Sequence, residues 1–156
     1  MARKHEHSDK FAGAHELHRL ADERLRNREQ RYTEGRRRIV DVLMRAESPL
    51  TLPELLSGDP ALAQSSAYRN LAVLEEAGVV RRLVHGADYA HYELAEDLTE
   101  HHHHLICERC GAVADVSFGA RTEQALDEAL RTIVRRHGFA PSHHTLDVYG
   151  LCTTCQ

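Results

Sequence analysis

The chain has 156 residues, enough for one ordinary domain or two small ones. Hydrophobic residues make up 42%, so a core can form, but tryptophan is absent and aromatic residues reach only 5%, which excludes large buried aromatic clusters. No apolar run approaches the roughly 18 residues of a membrane span, and the N-terminus has no apolar segment of a signal peptide, so the sequence reads as a soluble, cytoplasmic protein.

The net charge of −4 is unevenly spread. Residues 1–46 hold 12 Lys and Arg against 8 Asp and Glu, whereas residues 47–156 hold 8 against 16. The basic end suits phosphates; the acidic, histidine-rich end suits cations.

Residues 1–13 are polar and without period, which predicts a disordered extension. From His15 to Arg28, Leu17, Leu20, Ala21 and Leu25 recur at helical spacing. Thr33 is the expected N-cap of a second helix with an Ile39, Val40, Leu43, Met44 stripe, broken by Pro49. A short third helix starts at Pro53 and stops at Gly58 and Pro60. In QSSAYRNLAVLEEAG, Ser65 or Ser66 is the expected cap and Ala67, Leu71 and Leu74 form the buried stripe. Tyr68 and Arg69 then point outward, and Gly78 ends the helix. Two extended runs, VVRRLV and YAHYEL, flank HGAD as a hairpin. Helices followed by a hairpin predict a winged helix-turn-helix over residues 14–94. Residues 95–100, AEDLTE, read as an acidic hinge before a second α/β unit over residues 101–156. That unit holds strands around HHHHLIC and AVADV, a helix from Arg121 to His137 with Ala125, Leu126, Ala129, Leu130, Ile133 and Val134 as its apolar stripe, and a last strand in HHTLDVYG. The fold class expected is α+β.

The four cysteines, Cys107, Cys110, Cys152 and Cys155, form two CxxC pairs with none left over. Each such turn holds two thiolates at the spacing tetrahedral zinc needs, and two turns make a closed, structural site rather than a disulfide framework. In a strand, His101 and His103 face one side and His102 and His104 the other, so the run makes two half-sites. His91 and Glu93 share a face of the wing strand, Asp115 follows the first CxxC, Glu123 and Asp127 lie one helical turn apart, and His143 and His144 begin the last strand. This nitrogen and oxygen set suits Fe(II), Mn(II), Zn(II), Ni(II) or Co(II).

SAYRNLAVLEEAGVV, followed in order by YEL, HHHHLICERCG, HGF and HHTLDVYGLCTTC, resembles the ferric uptake regulator (Fur) superfamily of metal-responsive repressors over roughly residues 15–156. The resemblance implies an N-terminal winged helix, a C-terminal α/β dimerisation domain with a four-cysteine zinc site, and a homodimer on palindromic double-stranded DNA. It implies that Cys107, Cys110, Cys152 and Cys155 hold structural zinc. It assigns Glu93, His102, His104 and Asp115 to a regulatory site at the hinge for Fe2+, Zn2+, Mn2+ or Ni2+. It assigns His101, His103, Asp127 and His144 to a further site, and Glu123, one helical turn from Asp127, is taken as a further ligand of that site. It gives Tyr68 and Arg69, with Ser66 beside them, to DNA contact, together with Arg36 and, in the minor groove, Arg31. Many members supply a histidine before the third helix; ESPLT at 47–51 has none, so either His85 or His91 of the wing replaces it or the site uses fewer protein ligands. Asp115 is the carboxylate that peroxide-sensing members carry, which makes peroxide sensing the alternative. Neither HExxH nor HxE with PCxxC is present, so a zinc hydrolase or deaminase is disfavoured and no small-molecule substrate is expected. A metal-storage protein would account for the histidines but not for QSSAYRNL.

Overall fold

The computed structural model describes the backbone of residues 6–85 and 89–156 and the side chains of residues 13–84 and 90–156. The chain divides into two compact units, Met1–Glu100 and His101–Gln156.

The first unit contains α1 (Glu6–Arg26), α2 (Glu34–Arg45), β1 (Leu50–Thr51), α3 (Leu52–Gly58), α4 (Gln64–Glu76), β2 (Val80–His85) and β3 (Tyr89–Leu94), closed by a 3-10 turn at Glu96–Leu98. Leu17, Ala21 and Leu25 of α1 pack with Ile39 and Val40 of α2, Leu55 of α3, and Ala67, Leu71 and Leu74 of α4 in one apolar core. Burying a leucine this fully stabilises by about 1.5–3 kcal/mol. The three strands pair antiparallel in the order β1-β3-β2, with β3 central. This is the winged helix expected, and α4 is its second helix-turn-helix element.

Local chemistry sets the joints. Thr51 and Glu54 form a capping box on α3: the Thr51 amide and hydroxyl donate to the Glu54 carboxylate at 2.8 and 2.6 Å. Those bonds hold the Glu54 carboxyl below its usual pKa. At the end of α4, Gly78 takes φ +70°, and the Val79 amide returns to the Leu74 carbonyl at 2.8 Å. Only glycine adopts that conformation without cost. Arg24 of α1 donates to the Gly78 carbonyl and to Asp97, tying α1 to the end of α4 and to the 3-10 turn.

Two local readings are corrected. The predicted extension over residues 1–13 is helical from Glu6 on, and residues 1–5 lie outside the described residues. Lack of an apolar stripe removed the periodic signal, but no proline interrupts the run, so α1 continues through it. The cap of α4 is Ala63 rather than Ser65 or Ser66: the helix starts at Gln64, and the Ser66 hydroxyl donates back to the Ala63 carbonyl at 2.9 Å.

In the second unit, β4 (His103–Cys107) lies between β5 (Val113–Val116), antiparallel to it, and β6 (Asp147–Gly150), parallel to it. The helix α5 (Ala120–Arg135) connects β5 to β6. Its apolar stripe is only partly covered: no residue of α5 is buried, and Ile133 is exposed. Leu105, Val148 and Tyr149 of the sheet are exposed too.

Candidate metal centres and nucleic-acid surface

Tyr68 and Arg69 project from α4 into solvent, Tyr68 at 54% exposure, because Ala67 and Leu71 take the core side of the helix. Ser66 precedes them on the same helix. Arg31 is exposed before α2. Arg36 is differently placed. Its guanidinium donates to the Arg31 carbonyl at 2.5 Å, to Gln30 at 3.1 Å and to Asn70 of α4 at 3.4 Å. It joins the segment before α2 to α4 instead of standing free. Next to it, Arg37 lies 4.6 Å from the centre of the Tyr32 ring. The Tyr32 hydroxyl sits 2.6 Å from His18 Nδ1, and His18 Nε2 sits 3.0 Å from Asp41. Burial pushes the Tyr32 phenol up. That hydroxyl therefore donates to His18, which in turn donates to Asp41, so α1 and α2 are bridged by a polar chain that sequence alone did not suggest.

The four cysteines gather in the second unit. One sulfur from each lies within 4.8 Å of all the others, and none is in a disulfide. Cys110 and Cys152 Sγ are 3.7 Å apart. A tetrahedron of 2.3 Å zinc–sulfur bonds has an edge of about 3.8 Å, so the cluster fits zinc with all four positions filled by sulfur. The first knuckle closes on Gly111 at φ +73°, with the Gly111 amide on the Cys107 carbonyl at 2.9 Å. The Cys152 amide points at Cys107 Sγ at 3.4 Å, and backbone donors of this kind pull the Cys107 thiol down to about 6. Cys155 is pushed up to about 12, first by its bond to Cys152. Zinc binding requires thiolates, so a cation held by the four sulfurs would displace their protons.

The histidine run splits as strand geometry requires. His101 and His103 rings lie 4.7 Å apart on one side, His102 and His104 rings 5.1 Å apart on the other. On the first side, His101, His103, Glu123 and His144 bring one ligand atom each within 4.8 Å of one another. His103 Nε2 is 2.9 Å from Glu123 Oε1, while Glu123 Oε2 lies 3.6 Å from His101 Nε2 and 3.8 Å from His144 Nε2. Glu123 Oε2 and His144 Nε2 are buried without a hydrogen-bond partner, an arrangement that a cation would satisfy. Asp127 is not one of the four. It stands behind His144, its Oδ1 3.2 Å from Nδ1. His143 stays outside, against Ser142.

On the second side, His102, His104 and Asp115 converge, with His104 Nε2 3.8 Å from Asp115. His104 is 2% exposed, and its Nδ1 faces Asp147 at 3.1 Å. Sequence reasoning passed over Asp147. Its one visible signal was an acidic residue opening an otherwise uncharged last strand.

In the first unit, Glu93 is nearly buried on β3 and pairs with Arg81 of β2 at 2.9 Å. His91, two residues earlier on β3, is buried opposite Thr51 and Leu83. The side chain of His85 lies outside the described residues.

A model of the ferric uptake regulator family matches residues 27–149. The peroxide-responsive repressor of Staphylococcus saprophyticus is 32% identical over 145 residues, covering 89% of this chain and 93% of that protein. The peroxide operon regulator of Bacillus subtilis is 32% identical over 146 residues, covering 91% and 94%. Among solved structures, the ferric uptake regulator of Helicobacter pylori matches with a TM-score of 0.68 at 23% identity, over 91% of this chain and 93% of that one.

Proposed function

The chain belongs to the ferric uptake regulator family, and from that premise we propose that it is a metal-responsive, DNA-binding transcriptional repressor that controls metal-homeostasis genes in the cytoplasm. The observation that carries the reading is the presence, in one chain, of a helix-turn-helix element that turns Tyr68 and Arg69 to solvent and of a His102, His104, Asp115 cluster separate from the four-sulfur cluster.

Cys107, Cys110, Cys152 and Cys155 would hold structural zinc. His102, His104 and Asp115, with Glu93 contributed by the first unit and His91 or His85 as the replacement for the family's missing histidine, would hold the regulatory cation: Fe2+, Zn2+, Mn2+ or Ni2+. His101, His103, Glu123 and His144 would hold a further one, with Asp127 steadying His144. A bound cation supplies concentrated positive charge at which carboxylates and imidazoles meet. Ligands drawn from both units would couple the sensor to the winged helix.

Tyr68 and Arg69 then read base edges and phosphates in the major groove, with Ser66 beside them. Arg31 reaches the minor groove, and Arg36 acts through the α2–α4 link. The exposed apolar residues of the second unit support a homodimer, which would meet a palindromic operator with two recognition helices about one turn apart. A four-sulfur zinc site leaves no position open for substrate, which supports a regulator over an enzyme.

The test is operator affinity in zinc-loaded protein. Fluorescence anisotropy on the protein's own promoter should show binding that appears with a divalent metal and disappears with a chelator mild enough to leave zinc in place. Equal binding in both states would sink the proposal.

Asp115 and the peroxide-responsive relatives favour a second reading, in which an iron-loaded sensor reports peroxide. After peroxide treatment of the iron-loaded protein, the peptide carrying His102 and His104 should gain the mass of one oxygen as DNA binding is lost. An unmodified peptide would leave metal sensing alone.

A further inference from the structure

We propose that Asp147 is the positioning residue of the sensor cluster: it fixes the tautomer and aim of His104, so that Nε2 is the atom presented to a divalent cation. The inference rests on the reading of His102, His104 and Asp115 as regulatory ligands and adds a residue outside that set.

The topology puts His104 between two carboxylates. On the central strand β4, it is in register with Asp115 of β5 on one side and with Asp147 of β6 on the other. The ring between them is almost fully buried. Its two nitrogens meet the two carboxylates at different distances. Nδ1 is 3.1 Å from Asp147 Oδ1, a hydrogen bond; Nε2 is 3.8 Å from Asp115 Oδ1, too long for one but within the span of two bonds of about 2.1 Å to a shared ion. An ionised carboxylate only accepts, so the neutral ring carries its hydrogen on Nδ1 and its lone pair on Nε2. A ligating histidine whose other nitrogen donates to a carboxylate is held in one orientation and made more basic.

The same device occurs a second time in this unit. His144 turns Nδ1 to Asp127 at 3.2 Å and Nε2 toward Glu123 at 3.8 Å. Asp147 also opens the strand that runs on to Cys152, and Cys107 is in register with Gly150 of that strand. The zinc knuckles therefore help to hold Asp147 in place.

The experiment uses the full zinc-loaded chain and Co2+ as probe, followed by visible absorption and calorimetry. Asp147→Ala should weaken Co2+ binding at the sensor by about 10- to 100-fold with zinc retained. Asp147→Asn, whose Oδ1 still accepts from Nδ1, should recover most of that loss. In the metal-free wild type, 15N shifts should report His104 as the Nδ1–H tautomer, and Asp147→Ala should release it. Unchanged Co2+ affinity in Asp147→Ala, equal losses in the Ala and Asn variants, or an Nε2–H tautomer in the wild type would each overturn the role. If Asp147→Ala sheds zinc, the Asn variant and the wild-type tautomer decide. A wild type that takes up no cobalt beyond its zinc instead overturns the underlying assignment of the sensor, while the tautomer still tests the hydrogen bond.

Discussion

His103 and His104 are adjacent, both buried, and on opposite faces of one strand, so each needs its own polar partner in the interior. Glu123 supplies one and Asp147 the other. The alternation of the four histidines was legible in the sequence because a strand's period is fixed at two. The identity of the carboxylates was not, because it depends on cross-strand register and on a helix some twenty residues away. Asp127 and Glu123 show the limit: one helical turn apart, they were equivalent by spacing, and only the path of the chain puts Glu123 at the nitrogens and Asp127 behind them. In the first unit, Leu55 is fully buried in the apolar core that joins the helices. Leu55→Ala should cost about 2–5 kcal/mol in urea unfolding, with zinc content unchanged. Thr51→Ala should cost about 1 kcal/mol through the lost cap of α3. The sign of its pH dependence follows from the lowered Glu54 carboxyl. Such a group adds stability above its unfolded pKa of about 4.3 and loses it as pH falls through the lower folded value. The difference between wild type and Thr51→Ala should therefore shrink in acid.

Among the elements, α4 was read correctly in its faces and wrongly in its cap. Ala67, Leu71 and Leu74 had to share one side at helical spacing, which left Tyr68 and Arg69 outward. The serines looked like caps, but α4 already begins at Gln64. Since Tyr68 is half exposed and takes no part in the core, Tyr68→Ala should leave the melting temperature unchanged. Its cost should be about 1–3 kcal/mol of operator discrimination, read as the ratio of affinities for operator and scrambled DNA. The helix α5 carries the opposite lesson. Its stripe was legible, yet no sequence argument could say whether the stripe packs within the chain or against another surface. Leu105→Glu, on the exposed apolar sheet, should convert a dimer to a monomer in analytical ultracentrifugation without loss of zinc.

For the whole molecule, the two units differ in what holds them together. The first has a continuous apolar core spanning every helix, while the second buries only Ile106, Cys107, Val113 and Cys155 among its apolar side chains. A unit so poor in core depends on its metal staple. Cys107→Ser should abolish zinc binding and unfold the second unit, and far-UV circular dichroism should keep the helical signal of the first. The central claim is that the cluster around His102 and His104 controls the recognition helix, and linkage makes that claim reciprocal: if metal strengthens DNA binding by some factor, DNA must strengthen metal binding by the same factor. The direct measurement is the affinity of zinc-loaded protein for its regulatory metal with and without operator DNA. The account predicts tighter metal binding on DNA, by about 5- to 150-fold for a coupling of about 1–3 kcal/mol, and no such gain when His102 and His104 are both replaced by alanine. Metal affinity that is the same with and without operator would contradict it.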